Sequence, residues 1–211
     1  MIPSLDPPHN CTLCPRLANF REDLRLSHSD WFNAPVPIFG DTQAWLAVVG
    51  LAPGMQGANR TGRPFTGDFA GILLYKTLMR FGMAHGDYDA RADDGLTLHG
   101  TIIVNAVRCL PPQNKPTPEE IRTCQPYLKN PLESLRHLKV VIALGQIAHQ
   151  SVVRSFGVRL FQAKFGHGAI HTMPTGVTLI DSYHCSRYNQ NTRVLTAEMF
   201  ESVFKQALAH R

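Results

Sequence analysis

Trp45-Leu-Ala-Val-Val-Gly50-Leu-Ala-Pro-Gly54 is the stretch that decides the fold. Its apolar run shows no polar alternation and ends in glycine, the pattern of a strand buried on both faces. Pro53 and Gly54 then forbid regular structure. Three further runs repeat the pattern: Thr101-Ile-Ile-Val-Asn105, Val140-Val-Ile-Ala-Leu144 and Val177-Thr-Leu-Ile180. Helical patterns lie between them. Asp68 to Gly82 carries Phe69, Ile72, Leu73, Leu78 and Met79 at helical spacing, with Asp68 as N-cap and Gly82 as stop. Thr117-Pro-Glu-Glu120 is a capping box with proline at the first helical position. Gly145 to Arg154 and Thr196 to Ala209 complete the set, while Asp87–His99 reads as a solvated connecting loop without a role. Buried strands alternating with helices imply an α/β fold. The expected form is a three-layer αβα sandwich with a central, mainly parallel four-stranded sheet.

Composition is consistent with one domain spanning residues 1–211. The 44% hydrophobic content suffices for a core. No apolar run approaches the roughly 18 residues of a membrane helix. The short, polar Met1–Asn10 segment does not read as a secretory leader. Five cysteines without such a leader fit a reducing cytoplasm. The formal charge of +5 suits a polyanionic partner without demonstrating one. A monomer is expected.

Four of the cysteines form two pairs, Cys11-x2-Cys14 and Cys109-x14-Cys124. Four thiolates are the ligand set of a structural zinc or an iron–sulfur cluster. The long second gap is not a zinc knuckle, so a 4Fe-4S cluster is the first reading and zinc the second. Reduced core cysteines without metal are the alternative. Either metal would tie the N-terminal segment to the middle of the domain.

In parallel sheets, ligands bind beyond the carboxyl ends of the strands. That edge collects the unusual residues of this chain. Gly50 to Asp68 is rich in glycine but carries neither GxxxxGK[ST] nor GxGxxG, so it is no standard phosphate loop. Phe65, between Pro64 and Thr66, reads either as a loop anchor or as a platform for a flat base. Asn105 could bond nearby backbone, or could present a donor and an acceptor to a pyrimidine edge. His184 in Tyr183-His-Cys-Ser186 adds an imidazole at the same rim.

These motifs, in this order, resemble the uracil-DNA glycosylase superfamily, and within it the iron–sulfur branch closest to family 5, or type B. Gly50-Leu-Ala-Pro-Gly54 with Asn59-Arg-Thr-Gly-Arg-Pro-Phe-Thr-Gly-Asp68 is similar to the first motif of that branch. Asn105-Ala-Val-Arg-Cys109 with Asn114-Lys-Pro-Thr-Pro-Glu-Glu120 is similar to the middle one, and Tyr183-His-Cys-Ser186 with Asn189 to the last.

The resemblance implies a monofunctional DNA repair glycosylase acting on uracil, hypoxanthine or other modified bases, and four cluster ligands, Cys11, Cys14, Cys109 and Cys124. It implies a base pocket of Gly50, Ala52, Phe65, Asn105 and His184, in which Phe65 stacks on a flipped base, Asn105 reads its edge and His184 supports O2. Asp68 would order the attacking water, or serve only as an N-cap. Arg60, Arg63, Lys115 and Ser186 are candidates for phosphate contacts, and Arg187 with its loop for filling the gap in the stack.

Some positions depart from the pattern. Leu51 stands where family 4 relatives carry an acid, and cannot polarise water. Cys185 and Arg193-Val194 alter the last motif, and the chemistry requires no cysteine nucleophile. Two other classes of function stay open on sequence alone: an inactive iron–sulfur DNA-binding protein, and a hydrolase of free nucleosides.

Overall fold

The structure, a computed structural model, describes residues 5–211; the first four residues of the Met1–Asn10 segment lie outside the described residues. In chain order the strands are β1 (Phe39–Gly40), β2 (Leu46–Gly50), β3 (Ala84–His85), β4 (Thr97–Leu98), β5 (Thr101–Asn105), β6 (Val140–Leu144), β7 (Ile170–Thr172) and β8 (Thr178–Ser182). The helices are α1 (Pro15–Ser27), α2 (Ala58–Thr61), α3 (Phe69–Arg80), α4 (Pro118–Cys124), α5 (Pro126–Ser134), α6 (Gln146–Ser155), α7 (Arg187–Asn191) and α8 (Ala197–Ala209).

The four apolar runs form the parallel centre β5-β2-β6-β8. Two short antiparallel strands, β1 beside β5 and β7 beside β8, extend the sheet to six. Successive side chains of a strand point to opposite faces, and here both faces are covered. Leu46, Val48, Ile142 and Ile180 pack with Leu74 and Leu78 of α3 and Phe200 and Phe204 of α8. Ala47, Val49, Val141 and Leu179 pack with Leu128 and Leu132 of α5 and Val152 of α6. That double burial is why the strands lack polar alternation.

The caps read from sequence are formed: Asp68 accepts from Gly71 N at the start of α3, and Thr117 and Glu120 make the reciprocal box of α4. Thr196, whose side chain accepts from Met199 N, caps α8 as well. A third, smaller cluster packs Leu17 of α1, Val107, Ile121 and Cys124 together, with Cys14, Cys109 and Ala52 against it. Ala52 therefore belongs both to the cysteine region and to the loop after β2.

The 87–99 stretch departs from its reading as a solvated loop. It includes β4, which pairs with β3, and it supplies Tyr88 and Asp94 to the loop before α3.

Candidate active site

A cleft of about 410 Å³ opens at the carboxyl edge of the sheet, and Phe65, Asp68, Asn105 and His184 all line it. Gly50 and Asn105 are register partners at the ends of β2 and β5. A Cβ on Gly50 would lie 2.4 Å from Asn105 Oδ1 and 2.7 Å from Phe65 Cζ. Only glycine lets the amide and the ring pack this closely. Asn105 is 2% exposed, and its Oδ1 has no hydrogen-bond partner among the described residues. Buried acceptors are rarely left open, which makes this oxygen a candidate acceptor for a ligand donor. Gly50→Ala is expected to displace the amide and the ring and to lower turnover by about 10²-fold, since a displacement near 1 Å costs that much. Steady-state kinetics with thermal unfolding as a folding control would check it.

Phe65 sits in the left-handed region at φ 53°, a costly conformation for a bulky residue that persists only when its surroundings enforce it. The enforcement is visible. Tyr88 donates from its hydroxyl to Phe65 O at 3.2 Å, and Tyr75 to Pro64 O at 2.6 Å. Gly71 approaches so closely that a Cβ there would lie 1.8 Å from Phe65 O. The ring is thereby presented 6.1 Å from the His184 ring, tilted by 32°.

His184 follows β8, and the loop around it is fixed by its own side chains. Asn189 Nδ2 donates to His184 O at 2.8 Å, Gln190 Nε2 donates to Cys185 O at 2.7 Å, and Ser186 Oγ accepts from Asn189 N. Below it, buried Asp181 of β8 contacts His149 Nδ1 of α6 at 2.7 Å, tying the strand to the helix layer. Burial lowers the His184 pKa, keeping the imidazole neutral. Cys185 is wholly buried in the core, and burial pushes its thiol pKa up, so it is no nucleophile.

Asp68 has two environments. Oδ1 accepts from Gly71 N at 3.1 Å, while Oδ2 lies where a Cβ on Gly57 would come within 2.5 Å. Gly57 is thus the residue that lets the carboxylate fit. Burial raises the Asp68 pKa, against the opposing effect of backbone donors at Gly71 and Ala70.

The basic candidates divide. Arg60 and Lys115 are exposed, and Arg187 stacks over the Phe69 ring at 4.9 Å on the cleft wall. Tyr188, beside it on α7, is 73% exposed. Arg63 is a correction. It is 4% exposed and gives two 2.7 Å bonds to Asp94 and a third to Thr66 Oγ1, so it is unavailable to phosphate. Burial would raise the Asp94 pKa, but Arg63 prevails and holds it at about 2.

The pair's stabilisation is therefore complete above the unfolded carboxylate value and fades as pH falls towards 2. Arg63→Met is expected to destabilise the fold by about 3 kcal/mol or more, because it strands a buried carboxylate. Denaturant unfolding near neutral pH would check it.

Asn59, in the first motif, is also internal: its Nδ2 donates to Asn33 Oδ1 at 2.9 Å and binds this loop to the segment after α1. Asn114, which sequence reasoning did not assign to the site, lines the cleft with φ at 57°.

The four paired cysteines converge on one small cavity whose other walls include Leu17, Val107 and Tyr127. None is in a disulfide. Burial first, then neighbouring thiols, pushes Cys109 up to about 12 and Cys124 up to about 11. Arg108 N donates to Cys124 Sγ at 3.4 Å. Four soft donors in an apolar wall fit a tetrahedral zinc or an iron–sulfur cluster. Bound metal would relieve the crowding by deprotonating the thiols.

An αβα protein whose carboxyl-edge cleft holds a strained aromatic ring, an open buried amide and a neutral imidazole has the shape and polarity to take a flat heterocycle with a polar edge. Residues 37–208 match the model of the uracil DNA glycosylase superfamily. The chain is 44% identical over 202 residues to a type-5 uracil-DNA glycosylase of Thermus thermophilus, covering 93% of this chain and 92% of that one. It is 39% identical to a type-5 enzyme of Pyrobaculum aerophilum, over 95% and 88% of the two chains. A type-4 uracil-DNA glycosylase of Archaeoglobus fulgidus is 31% identical, over 81% and 79%. The chain belongs to the uracil-DNA glycosylase superfamily, and within it to the type-5 family.

Proposed function

We propose that this protein is a DNA repair glycosylase that flips a deaminated base out of DNA and hydrolyses its N-glycosidic bond, leaving an abasic site. The observation that carries the reading is the open, buried Oδ1 of Asn105 beside the enforced Phe65 ring, an acceptor and a stacking face in one cleft. Uracil is the first substrate, and the largely apolar walls of Ala52, Pro53 and Ala70 favour acceptance of other bases, hypoxanthine among them.

The glycosidic bond is inaccessible inside a duplex, so extrusion precedes chemistry and costs about a few kcal/mol. Stacking on Phe65 repays about 1–3 kcal/mol of that. As the C1′–N bond breaks, its electron pair moves onto the base. Neutral His184 donates a hydrogen bond to the developing O2 anion, an electrostatic contribution that usually dominates catalysis. Asp68 holds the water that adds to C1′, and the departing base takes up the proton. Arg60, Lys115 and Ser186 meet the phosphates. Arg187, braced on Phe69, and exposed Tyr188 fill the gap in the stack.

Cys11, Cys14, Cys109 and Cys124 would hold a 4Fe-4S cluster that fastens the N-terminal segment to the core, with zinc as the second choice. A monomer acting in a reducing, cytoplasmic compartment fits the free thiols; no described helix is long and apolar enough to cross a membrane. Parallel assays on uracil DNA, hypoxanthine DNA and free deoxyuridine test the reading. Release confined to the polynucleotides supports it, and cleavage of free deoxyuridine at an equal rate would favour a nucleoside hydrolase.

A further inference from the structure

Two arginines are buried beside the cysteine cavity, and only one is satisfied. Arg108 donates from Nε to Val36 O at 2.7 Å and from Nη1 to Tyr127 O at 3.2 Å, and its Nη2 pairs with Asp6. Arg21 is 5% exposed, yet its Nε and Nη1 have no hydrogen-bond partner among the described residues. Glu22 Oε1 stands 3.6 Å from Nε, is more than half exposed, and accepts from Arg25 Nη1 at 2.9 Å instead. A guanidinium cannot escape burial by losing its proton. With only that long ion pair to Glu22, the buried cation remains costly and calls for a closer anionic partner.

The position of Arg21 says which partner. The helix α1 starts directly after Cys14 and buries Leu17, Ala18, Arg21 and Leu24 along one face. Leu17 and Ala18 line the cavity that the four thiols enclose. Arg21 lies one turn further along the same buried face, and helical side chains lean towards the N-terminus, which here is Cys14. Its guanidinium charge stands within electrostatic reach of Cys109. Four thiolates outweigh the double positive charge of a zinc ion, and thiolate-bound iron–sulfur clusters are likewise anionic. An anion assembled here would meet a cation already in place.

We infer that Arg21 is the internal counter-cation of the cysteine-bound cluster, with its open Nε and Nη1 donors directed at thiolate or sulfide sulfur. This rests on the iron–sulfur reading above. It makes Arg21 a positioning and charge-compensating residue that touches neither base nor DNA.

The test begins with iron and acid-labile sulfide in the wild-type holoprotein. Midpoint potential and the rate of cluster loss to a chelator are then measured for wild type, Arg21→Met, Arg21→Lys and Glu22→Gln. Removing the cation disfavours the more negative, reduced cluster. Arg21→Met is expected to lower the potential by roughly 60 mV, the one-electron equivalent of a tenfold change, and to lose its cluster about tenfold faster, as for a charged hydrogen bond. Arg21→Lys should hold the potential near wild type, and Glu22→Gln should match wild type in both readouts. Arg21→Gln gives the same potential readout should the Met variant not fold. Wild-type potential and loss rate in the neutral variants, with the cluster present, would overturn the role of Arg21 alone, as would a Glu22→Gln protein that reproduces the Arg21→Met effect. Wild-type protein without iron and sulfide would instead overturn the cluster reading, and this inference with it.

Discussion

His184→Ala is expected to lower the single-turnover rate of uracil release by roughly 10²- to 10³-fold, the usual loss when a preorganised donor to a developing anion is removed. His184 is desolvated, so its pKa is lowered and the ring is neutral at working pH. A neutral imidazole donates one hydrogen bond and can strengthen it as charge reaches the base. The loop is also preorganised, since Asn189 and Gln190 fix the carbonyls of His184 and Cys185 rather than the ring. The deletion should therefore leave the fold intact while removing the donor. Equal binding of uracil-containing DNA by both proteins, with a slowed chemical step, is the expected pattern in a rapid-quench experiment. A wild-type rate in the variant would remove His184 from the mechanism.

The second large effect belongs to Asp68. Asparagine caps helices about as well as aspartate, so Asp68→Asn keeps the bond to Gly71 N and removes only the charge. The expected result is a single-turnover rate lowered by on the order of 10²-fold, with stability unchanged or slightly higher. The sign follows from the raised pKa. A carboxyl whose folded pKa lies above its unfolded value favours the native state most below the unfolded value, and that contribution is lost as pH rises through the folded pKa.

At neutral pH the ionised Asp68 is thus a cost to the fold, tolerated if the carboxylate is used. Wild-type rate should fall on acidification with an apparent pKa above that of a free aspartate. Asp68→Asn should lose that limb. A pH–rate profile of the two proteins decides it, and an unchanged rate would reduce Asp68 to a cap.

What could be read in the sequence and what could not have the same physical origin. The central strands and α3, α6 and α8 were legible because burial on both sheet faces leaves continuous apolar runs and capped, periodic helices. The edge strands were not. The pair Phe39–Gly40 and the triplet Ile170–Thr172 are too short and too mixed in exposure to carry a period. Helix α1 hides its buried face because Arg21 interrupts Leu17, Ala18 and Leu24, and α5 contains Pro131.

The candidate site residues were visible as polar or aromatic outliers at or after strand ends, and Phe65, Asp68, Asn105 and His184 line one cleft. Arg63 was misread because its partner, Asp94, lies 31 positions away in a stretch of solvated composition. Tyr88, which helps to hold Phe65 in its strained conformation, was missed for the same reason. Long-range pairing of charges and hydroxyls leaves no local pattern.

The most direct test of the central claim is single-turnover release of free base by the wild-type protein from a duplex carrying one uracil. Release of uracil that leaves an alkali-labile abasic site is the predicted result. Tight binding of that duplex without release, by folded protein, would contradict it.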